Sequence, residues 1–264
     1  MKYLLDADQN GNDSIAHLAS AGLIEYLPIP SFQEFQRQIQ RLVPLVGPDD
    51  LVIVDTIGSL QETTIIDARL GTDVSVDFWA LKGKYLEGDK NYLNVYNLAG
   101  DTIIRRLKNI RARGARIITT SHESEQVDPT DLRRKRAPKL SPAMYESIMR
   151  NTSDIVRLSE VIEPIIGEEG QVLVGTGTRL LQLRKTEDAV AKYHVVPEMS
   201  ARIAQLLTMP PVGGIHKYHA HIGKRPAWLH IYGPPGVGKT SLCASEAEAY
   251  SPVVPIPTTL QEAG

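Results

Sequence analysis

The chain has 264 residues, of which 42% are hydrophobic and 23% are charged, so it can bury a substantial core and form an ordinary globular protein. With 29 Lys and Arg against 31 Asp and Glu, the formal charge is −2, which excludes a polycation that binds DNA or anionic lipid over its whole surface. Cys243 is the only cysteine, which excludes an internal disulfide and a zinc site built from thiolates. No uninterrupted apolar stretch has the length of a membrane span, and we expect a cytoplasmic protein with no membrane partner.

The first half of the chain alternates strand and helix patterns. Short apolar runs end in polar side chains, and stretches with apolar residues at helical spacing lie between them. This alternation predicts an α/β fold with a mostly parallel sheet flanked by helices. In chain order, we expect a strand at 3–5, a turn at 9–14, a helix at 31–46, a strand at 51–55, a helix at 92–113 and a strand at 115–120.

The second half contains more prolines, glycines and clustered charges. The segment from Glu125 to Leu140 is basic and contains prolines, which predicts a mobile loop. Beyond it, we expect antiparallel edge strands at 155–162 and 177–192, a short helix at 197–209, a linker at 210–226, a strand and helix at 227–251, and a proline-rich tail at 252–264.

The most specific pattern is a glycine-rich segment between a predicted strand, Ala227–Tyr232, and a predicted helix. It matches G-x-x-x-x-G-K-[ST], the pattern of a phosphate-binding P-loop. In such a loop, backbone N–H groups surround the β-phosphate, Lys239 reaches the β- and γ-phosphates, and the Thr240 hydroxyl is a ligand of Mg²⁺. The pattern predicts bound ATP with Mg²⁺, or with Mn²⁺ in its place. The expected nucleotide-binding residues are Gly233, Pro234, Pro235, Gly236, Val237, Gly238, Lys239, Thr240 and Ser241.

Acidic residues at two other strand ends complete the predicted site. Asp55 closes an apolar strand and suits the Walker-B role, in which a carboxylate lies near the metal. Asp8 is the first candidate for the base that orients the attacking water, and Asp6 is the second. The alternative is that both acids only cap the following turn, because Asp before Asn-Gly is common turn chemistry.

Three strand ends resemble the core of the RecA-like ATPases: Tyr3–Asp8, Leu51–Leu60 and Ile117–His122. The resemblance implies that Asp8 is the catalytic carboxylate, although the family more often has Glu there, and that Ser121 and His122 sense the γ-phosphate. The chain most resembles the phage recombination ATPases of the Sak type. Its segments Ala137–Leu140 and Thr178–Arg184 also look like segments of that group.

The order of these segments differs from that of the family, in which the P-loop comes first. Here the P-loop comes last, so the resemblance implies a circularly permuted RecA-like P-loop NTPase core. We expect one domain over 1–264, with the carboxylate, Walker-B, sensor and edge strands in 1–196 and the P-loop strand and helix in 227–251. If the chain is phage-encoded, its compartment is the host cytoplasm.

Four adjacent cations lie in the loop expected after the sensor strand, where the resemblance implies a DNA contact. They are Arg133, Arg134, Lys135 and Arg136. Such residues contact phosphates without reading sequence, although charge runs are more often solvated loops. The implied partners are DNA, expected to be single-stranded, and further copies of the chain in a ring or filament, where Lys185 or Lys192 would complete a neighbour's site.

Three function classes follow. The first is a DNA-dependent ATPase of recombination, repair or replication. The second is a metal-dependent nuclease in which Asp6, Asp8, Asp55 and His122 hold Mg²⁺ or Mn²⁺. The third is a DNA-binding or annealing protein whose assembly ATP controls. A separate group, His216, His219 and His221, suggests a metal site because alternate residues of a strand, such as His219 and His221, face one way, although linker histidines more often bind no metal.

Overall fold

The computed structural model describes residues 1–9, 11–70, 92–127, 134–167, 170–192, 206–209 and 214–249. The strands are β1 (Lys2–Asp6), β2 (Glu25–Pro28), β3 (Leu51–Asp55), β4 (Arg116–Val127), β5 (Arg134–Pro138), β6 (Asp154–Gly167), β7 (Gly170–Gln182), β8 (Leu206–Met209) and β9 (Trp228–Gly233). The helices are α1 (Asn12–Ser20), α2 (Phe32–Leu42), α3 (Ile57–Leu70), α4 (Tyr92–Ala112), α5 (Pro142–Asn151), α6 (Ile215–Ile222) and α7 (Lys239–Ala249).

A mixed sheet organises the described residues, in the order β2-β1-β3-β4-β9-β6-β7-β8. Neighbouring strands from β2 to β6 are parallel, whereas β6, β7 and β8 pair antiparallel. The predicted α/β class with a mostly parallel sheet and antiparallel strands towards one edge is confirmed. One detail differs: β6 is antiparallel only to β7 and pairs in parallel with β9.

Helices cover both faces of the sheet because its central strands are apolar on both sides. All five residues of β3 are buried, with Val52 and Val54 packed in one core cluster and Leu51 and Ile53 in the other. Residues of α2, α3, α4 and α5 contribute to the first cluster, and residues of α1, α6 and α7 to the second. The sheet therefore lies between two helical layers, and the carboxyl ends of its parallel strands meet at one edge.

The amphipathic stretch predicted as a helix at 31–46 forms α2. The Ser31 hydroxyl accepts a hydrogen bond from the Glu34 N–H at 3.1 Å, which satisfies a donor that the first helical turn leaves unpaired. Phe32, Phe35 and Ile39 are buried against the sheet. The second predicted helix, at 92–113, forms α4. None of the described helices is long and apolar enough to cross a membrane.

The predictions were wrong at three places. The described parts of the segment expected to be a mobile loop form a hairpin, because the end of β4 pairs antiparallel with β5. The end of the helix expected at 197–209 is strand β8, which pairs with β7. The linker expected at 210–226 contains α6, so the three histidines lie on a helix rather than a strand. The tail at 252–264, Arg133 and residues 197–205 lie outside the described residues.

Candidate functional site

The glycine-rich segment forms a tight connection between the central strand β9 and α7. Gly236 has φ 76° and Gly238 has φ 86°, values in the left-handed region that glycine tolerates at little steric cost. At Gly238 an added Cβ would lie 2.6 Å from Nη1 of Arg179, the end of a flexible side chain that would have to shift, so the positive φ is the stronger requirement for glycine. The sequence pattern thus places glycine where the backbone needs it.

Lys239 begins α7 and is only 6% exposed. Its ammonium donates hydrogen bonds to two carbonyls of the connection, Gly233 O at 3.2 Å and Pro234 O at 2.8 Å. Burial lowers the pKa of Lys239, and the nearby carboxylates of Asp55 and Asp8 act against that shift. The ammonium of Lys239 therefore lies against the glycine-rich connection, near the carboxylates of Asp55 and Asp8.

Asp55 lies at the end of β3 and is 4% exposed. The Thr240 hydroxyl donates a hydrogen bond to one oxygen of its carboxylate, and the Thr120 hydroxyl donates to the other. Burial raises the pKa of Asp55, the two hydroxyls oppose this, and the charges of Asp6 and Asp8 add to it. The predicted Walker-B acid and the predicted metal-binding hydroxyl are thus in direct contact.

Asp8 follows β1 and faces the same space. The Ser59 hydroxyl donates a hydrogen bond to Oδ1 of Asp8, and the Thr56 hydroxyl lies 3.3 Å from the same oxygen. Nε2 of His122, near the point where β4 leaves β9, lies 3.3 Å from Oδ2 of Asp8. Both side chains are partly exposed, so an acid and an imidazole face solvent together.

The side chain of Asp6 caps the turn that follows β1. Its buried carboxylate accepts hydrogen bonds from the N–H groups of Gln9 at 2.9 Å and Gly11 at 2.8 Å, and from the Tyr26 hydroxyl at 2.9 Å. This is the capping role that the sequence left open as an alternative to catalysis.

Ser121 also points away from the predicted sensor position. It is fully buried, and its hydroxyl lies 3.1 Å from Nε2 of the core residue His230. Thr120 and His122, its neighbours on β4, contact Asp55 and Asp8 instead. Four further polar residues of this region, which no sequence motif marks, are Thr120, Thr56, Ser59 and His230. The period-two alternation of a strand could have identified Thr120, since it must lie on the same side as His122.

A cavity of about 480 Å³ opens between the glycine-rich connection and the ends of β1, β3 and β4. Its volume is within the range of about 300–1,000 Å³ that small-molecule sites occupy. The structure brings together most of the predicted active-site residues around it, although they come from opposite ends of the chain. The lining includes Asp8, Asp55, His122, Gly236, Lys239 and Thr240.

A larger cavity of about 720 Å³ lies over β6, β7 and the segment after β7. It is lined by charges of both signs, such as Arg157 and Asp188, and the described residues of its lining include no glycine-rich turn or helix start. Those residues therefore do not offer the cluster of backbone N–H groups that binds a phosphate chain. The cavity of about 480 Å³ beside the glycine-rich connection, which we call the loop cavity, is therefore the candidate site.

The described cations of the charged cluster lie on β5, and one of them, Arg136, faces acids. Arg136 is opposite Glu125 in the β4–β5 register, and its guanidinium lies 3.8 Å from the Glu123 carboxylate. Arg157 of β6 binds the same carboxylate, with Nε at 2.8 Å. Half of the Arg136 side chain remains exposed. The cluster is thus part of a hairpin whose other strand is acidic.

From the sequence, the histidines of α6 are candidate metal ligands, and Lys192 is a candidate cation for a neighbour's site. In the structure, both groups have other surroundings. His219 is buried, with its pKa lowered to about 3 by burial first and by Arg116 and Arg225 next. Within the described ranges, no three His, Cys, Asp or Glu side chains are grouped so that they could hold a metal ion. The Lys192 ammonium donates to the carbonyls of Met149 and Thr152, both at 2.8 Å, which engages it within its own chain.

The fold and site define an α/β protein with a polar cavity at the carboxyl edge of a mostly parallel sheet. No protein family model matches the chain, and no curated protein matches it in sequence.

Proposed function

We propose that this chain binds Mg–ATP in the loop cavity, hydrolyses it, and acts on DNA in recombination, repair or replication. The observation that carries the proposal is the contact between Asp55 and Thr240, residues 185 positions apart in sequence. A carboxylate and a hydroxyl side by side, at the mouth of a glycine-rich turn, are the pair of protein groups that holds Mg²⁺ beside the phosphates in P-loop enzymes.

The residues of the cavity fit this ligand. Gly236 and Gly238 let backbone N–H groups turn towards a phosphate, and the start of α7 adds the positive end of its dipole. Lys239 now donates to two carbonyls, and a phosphate oxygen would be a stronger, charged acceptor for the same ammonium. Bound Mg²⁺ would supply charge neutralisation on the phosphate oxygens.

Asp8 is the proposed general base. Hydrogen bonds from Ser59 and Thr56 fix one oxygen of its carboxylate, and the other oxygen faces His122. A carboxylate held in this way can accept a proton from an attacking water and orient it towards the γ-phosphate. His122 is placed to position Asp8 and to contact the same phosphate.

We also propose that the core is RecA-like and circularly permuted. The last described strand along the chain, β9, is inserted between β4 and β6 in the sheet. Across the sheet, the sequence number of the strands rises from β1 to β9 and then falls to β6, so the strand order reverses at β9. In open α/β sheets, ligands bind at such a reversal point, outside the carboxyl ends of the strands. This position supports a P-loop that comes last in sequence but occupies the centre of the site.

The proposal extends to DNA and to further copies of the chain. The cations of β5 lie on a hairpin that extends β4 past the sheet edge where the cavity opens, and the half-exposed Arg136 supports a contact with a DNA backbone there. Lys185 is left as the candidate to complete a neighbour's site, because Lys192 is engaged in its own chain.

The two alternatives have less support. A nuclease would need Asp6, Asp8, Asp55 and His122 around one metal, but Asp6 caps a turn, and the described residues contain no such group of ligands. An ATP-controlled annealing protein would need the same nucleotide cavity without a base. The hydrogen-bonded Asp8 favours hydrolysis.

Phosphate release and DNA degradation, measured in one reaction with and without single-stranded DNA, test the proposal. We expect the wild type to release phosphate from ATP in a Mg²⁺-dependent manner, faster with DNA. Lys239→Ala and Asp8→Asn should reduce the rate by about 10²-fold or more, the size typical of losing a general base or a charge at the reacting phosphate. The exposed lysine variant Lys108→Ala and the exposed acid variant Asp13→Asn should keep the wild-type rate.

Degradation of DNA without ATP, lost in Asp8→Asn but kept in Lys239→Ala, would contradict the proposal in favour of a nuclease. ATP-dependent DNA binding with no phosphate release would favour the annealing protein.

A further inference from the structure

Thr120 of β4 is a fully buried residue that contacts the site from outside the loop cavity. Its hydroxyl donates a hydrogen bond to Oδ1 of Asp55, while the Thr240 hydroxyl donates to Oδ2. Thr240 lines the loop cavity, whereas Thr120 is not among the described residues that line it. A ligand in the cavity would therefore contact Thr240, and Thr120 would affect that ligand only through Asp55.

The carboxylate of Asp55 needs such a partner because its own torsion does not fix it. The torsion that rotates a carboxylate is broad and roughly two-fold, so its two oxygens can exchange places. The hydrogen bond from Thr120 holds Oδ1 on the β4 side, and Oδ2 stays beside Thr240. Hydrogen bonds of this kind orient the carboxylates that bind metals, and their loss typically lowers metal affinity by about 10–100-fold.

The register of β4 brings Thr120 to this position. Its neighbours Thr119 and Ser121 lie on the opposite face of the sheet, where their hydroxyls contact the buried His230 of β9. The Thr119 hydroxyl lies 2.9 Å from Nδ1 of His230, and the Ser121 hydroxyl lies 3.1 Å from Nε2. The indole N–H of Trp228 also donates to the Thr119 hydroxyl, at 3.2 Å. These contacts between β4 and β9 oppose a slip of one residue, which would turn Thr120 to the other face.

We propose that Thr120 is a positioning residue, which orients the carboxylate of Asp55 towards the Mg²⁺ of bound Mg–ATP. The inference rests on the proposed function and adds a residue that the glycine-rich motif does not contain. In this role Thr120 touches neither the nucleotide nor the metal. Its hydroxyl sets which oxygen of Asp55 lies beside Thr240, and thereby the affinity of that pair for Mg²⁺.

The Mg²⁺ concentration at which ATP binding is half-maximal, measured on the full chain, tests this inference. Thr120→Val and Thr120→Ala remove the hydroxyl, and Thr120→Ser keeps it. We expect both variants without the hydroxyl to need about tenfold more Mg²⁺ than the wild type, or above, and Thr120→Ser to stay close to the wild type. ATP binding without Mg²⁺ should be the same in all of them, because Lys239 and the backbone N–H groups of the loop are unchanged.

Thr152→Val is the matched control. Thr152 is a buried threonine at the end of α5, and its hydroxyl donates to the Ile148 carbonyl at 2.6 Å. We expect this variant to lose a hydrogen bond and to melt at a lower temperature, as Thr120→Val should, but to keep the Mg²⁺ requirement of the wild type. Thermal unfolding without nucleotide and Mg²⁺ measures the loss of stability in both.

A Thr120→Val variant with the Mg²⁺ requirement of the wild type would overturn the inference alone. So would a Thr120→Ser variant as impaired as Thr120→Val, or a Thr152→Val control shifted by the same amount. Either result would mean that a general loss of packing, rather than the loss of the hydroxyl, weakens the site. A wild-type chain that does not bind Mg–ATP would overturn the proposed function together with the inference.

Discussion

At the scale of single residues, the protein keeps an acid in an unfavourable environment. Asp55 is almost fully buried, and among the described residues two hydroxyls and the ammonium of Lys239 moderate the cost of its charge. Active sites commonly retain such groups because the ligand supplies the missing interaction. A metal ion beside Asp55 and Thr240 would do so here.

Replacing this acid should separate stability from function. Because the pKa of Asp55 is raised in the folded chain, the folded state binds the proton more tightly than the unfolded state, and stability is lost as pH rises through the raised pKa. We expect Asp55→Asn to match the wild type at acidic pH, where Asp55 is protonated, and to be the more stable protein above neutral pH. For a domain of this size, each kcal/mol corresponds to about 2–4 °C in melting temperature.

Thermal unfolding between acidic and alkaline pH, without nucleotide, measures that difference. The same variant should lose Mg²⁺-dependent phosphate release. An Asp55→Asn chain that melts below the wild type at every pH would mean that the carboxylate stabilises the fold rather than serving a ligand.

The residues of the site were predictable to the extent that a local pattern carries them. Lys239 and Thr240 belong to a contiguous motif, and Asp55 closes an apolar strand, so sequence reasoning places them in one site and the structure brings them together. Asp6 and Asp8 could not be separated in this way. Their different roles depend on Tyr26 and Ser59, partners that are distant in sequence.

At the scale of elements, the basic hairpin is the feature to test. Lys135 and Arg134 lie on β5 of a hairpin whose other strand carries Glu123 and Glu125, so part of the positive charge is balanced within the hairpin itself. If the remaining charge contacts DNA phosphates, the double variant Arg134→Ala, Lys135→Ala should bind single-stranded DNA more weakly.

The salt dependence of binding identifies the contact. The slope of log affinity against log salt should decrease by about 0.7 for each phosphate contact removed on a single strand. Phosphate release without DNA should not change. The control Arg150→Ala removes an exposed cation that pairs with Glu146 on α5, and it should leave the slope as it is. A slope unchanged in the double variant would exclude β5 from the DNA contact.

Elements with strong periodicity were predicted well, and those without it were not. Helix α2 has a serine cap and a regular apolar face, whereas α1 follows Gly11 without a side-chain cap, and the start of α1 falls within the turn predicted at 9–14. Strand β5, with the sequence Arg-Lys-Arg-Ala-Pro, has no apolar alternation that would identify it, and its pairing with β4 is a long-range contact that the local sequence does not reveal. Helix α6 was detectable, since its buried residues Ile215, Tyr218, His219 and Ile222 follow helical spacing.

At the scale of the whole molecule, the sheet order could not be predicted from the sequence. Local patterns specify that β9 is a strand, but its insertion between β4 and β6 depends on long-range packing of Trp228, Leu229 and Ile231 against both core clusters. This insertion places the motif at the end of the chain beside acids near its beginning. The proposed site therefore depends on the complete sheet.

Equilibrium binding of ATP by titration calorimetry, with and without Mg²⁺, tests whether the glycine-rich loop is the nucleotide site. We expect the wild type and Lys108→Ala to bind Mg–ATP alike and removal of Mg²⁺ to weaken binding. Lys239→Ala should weaken it by about tenfold or more, as the loss of a charge-assisted contact does. Equal binding by Lys239→Ala and the wild type, or no binding by either, would contradict the assignment of the glycine-rich loop as the nucleotide site.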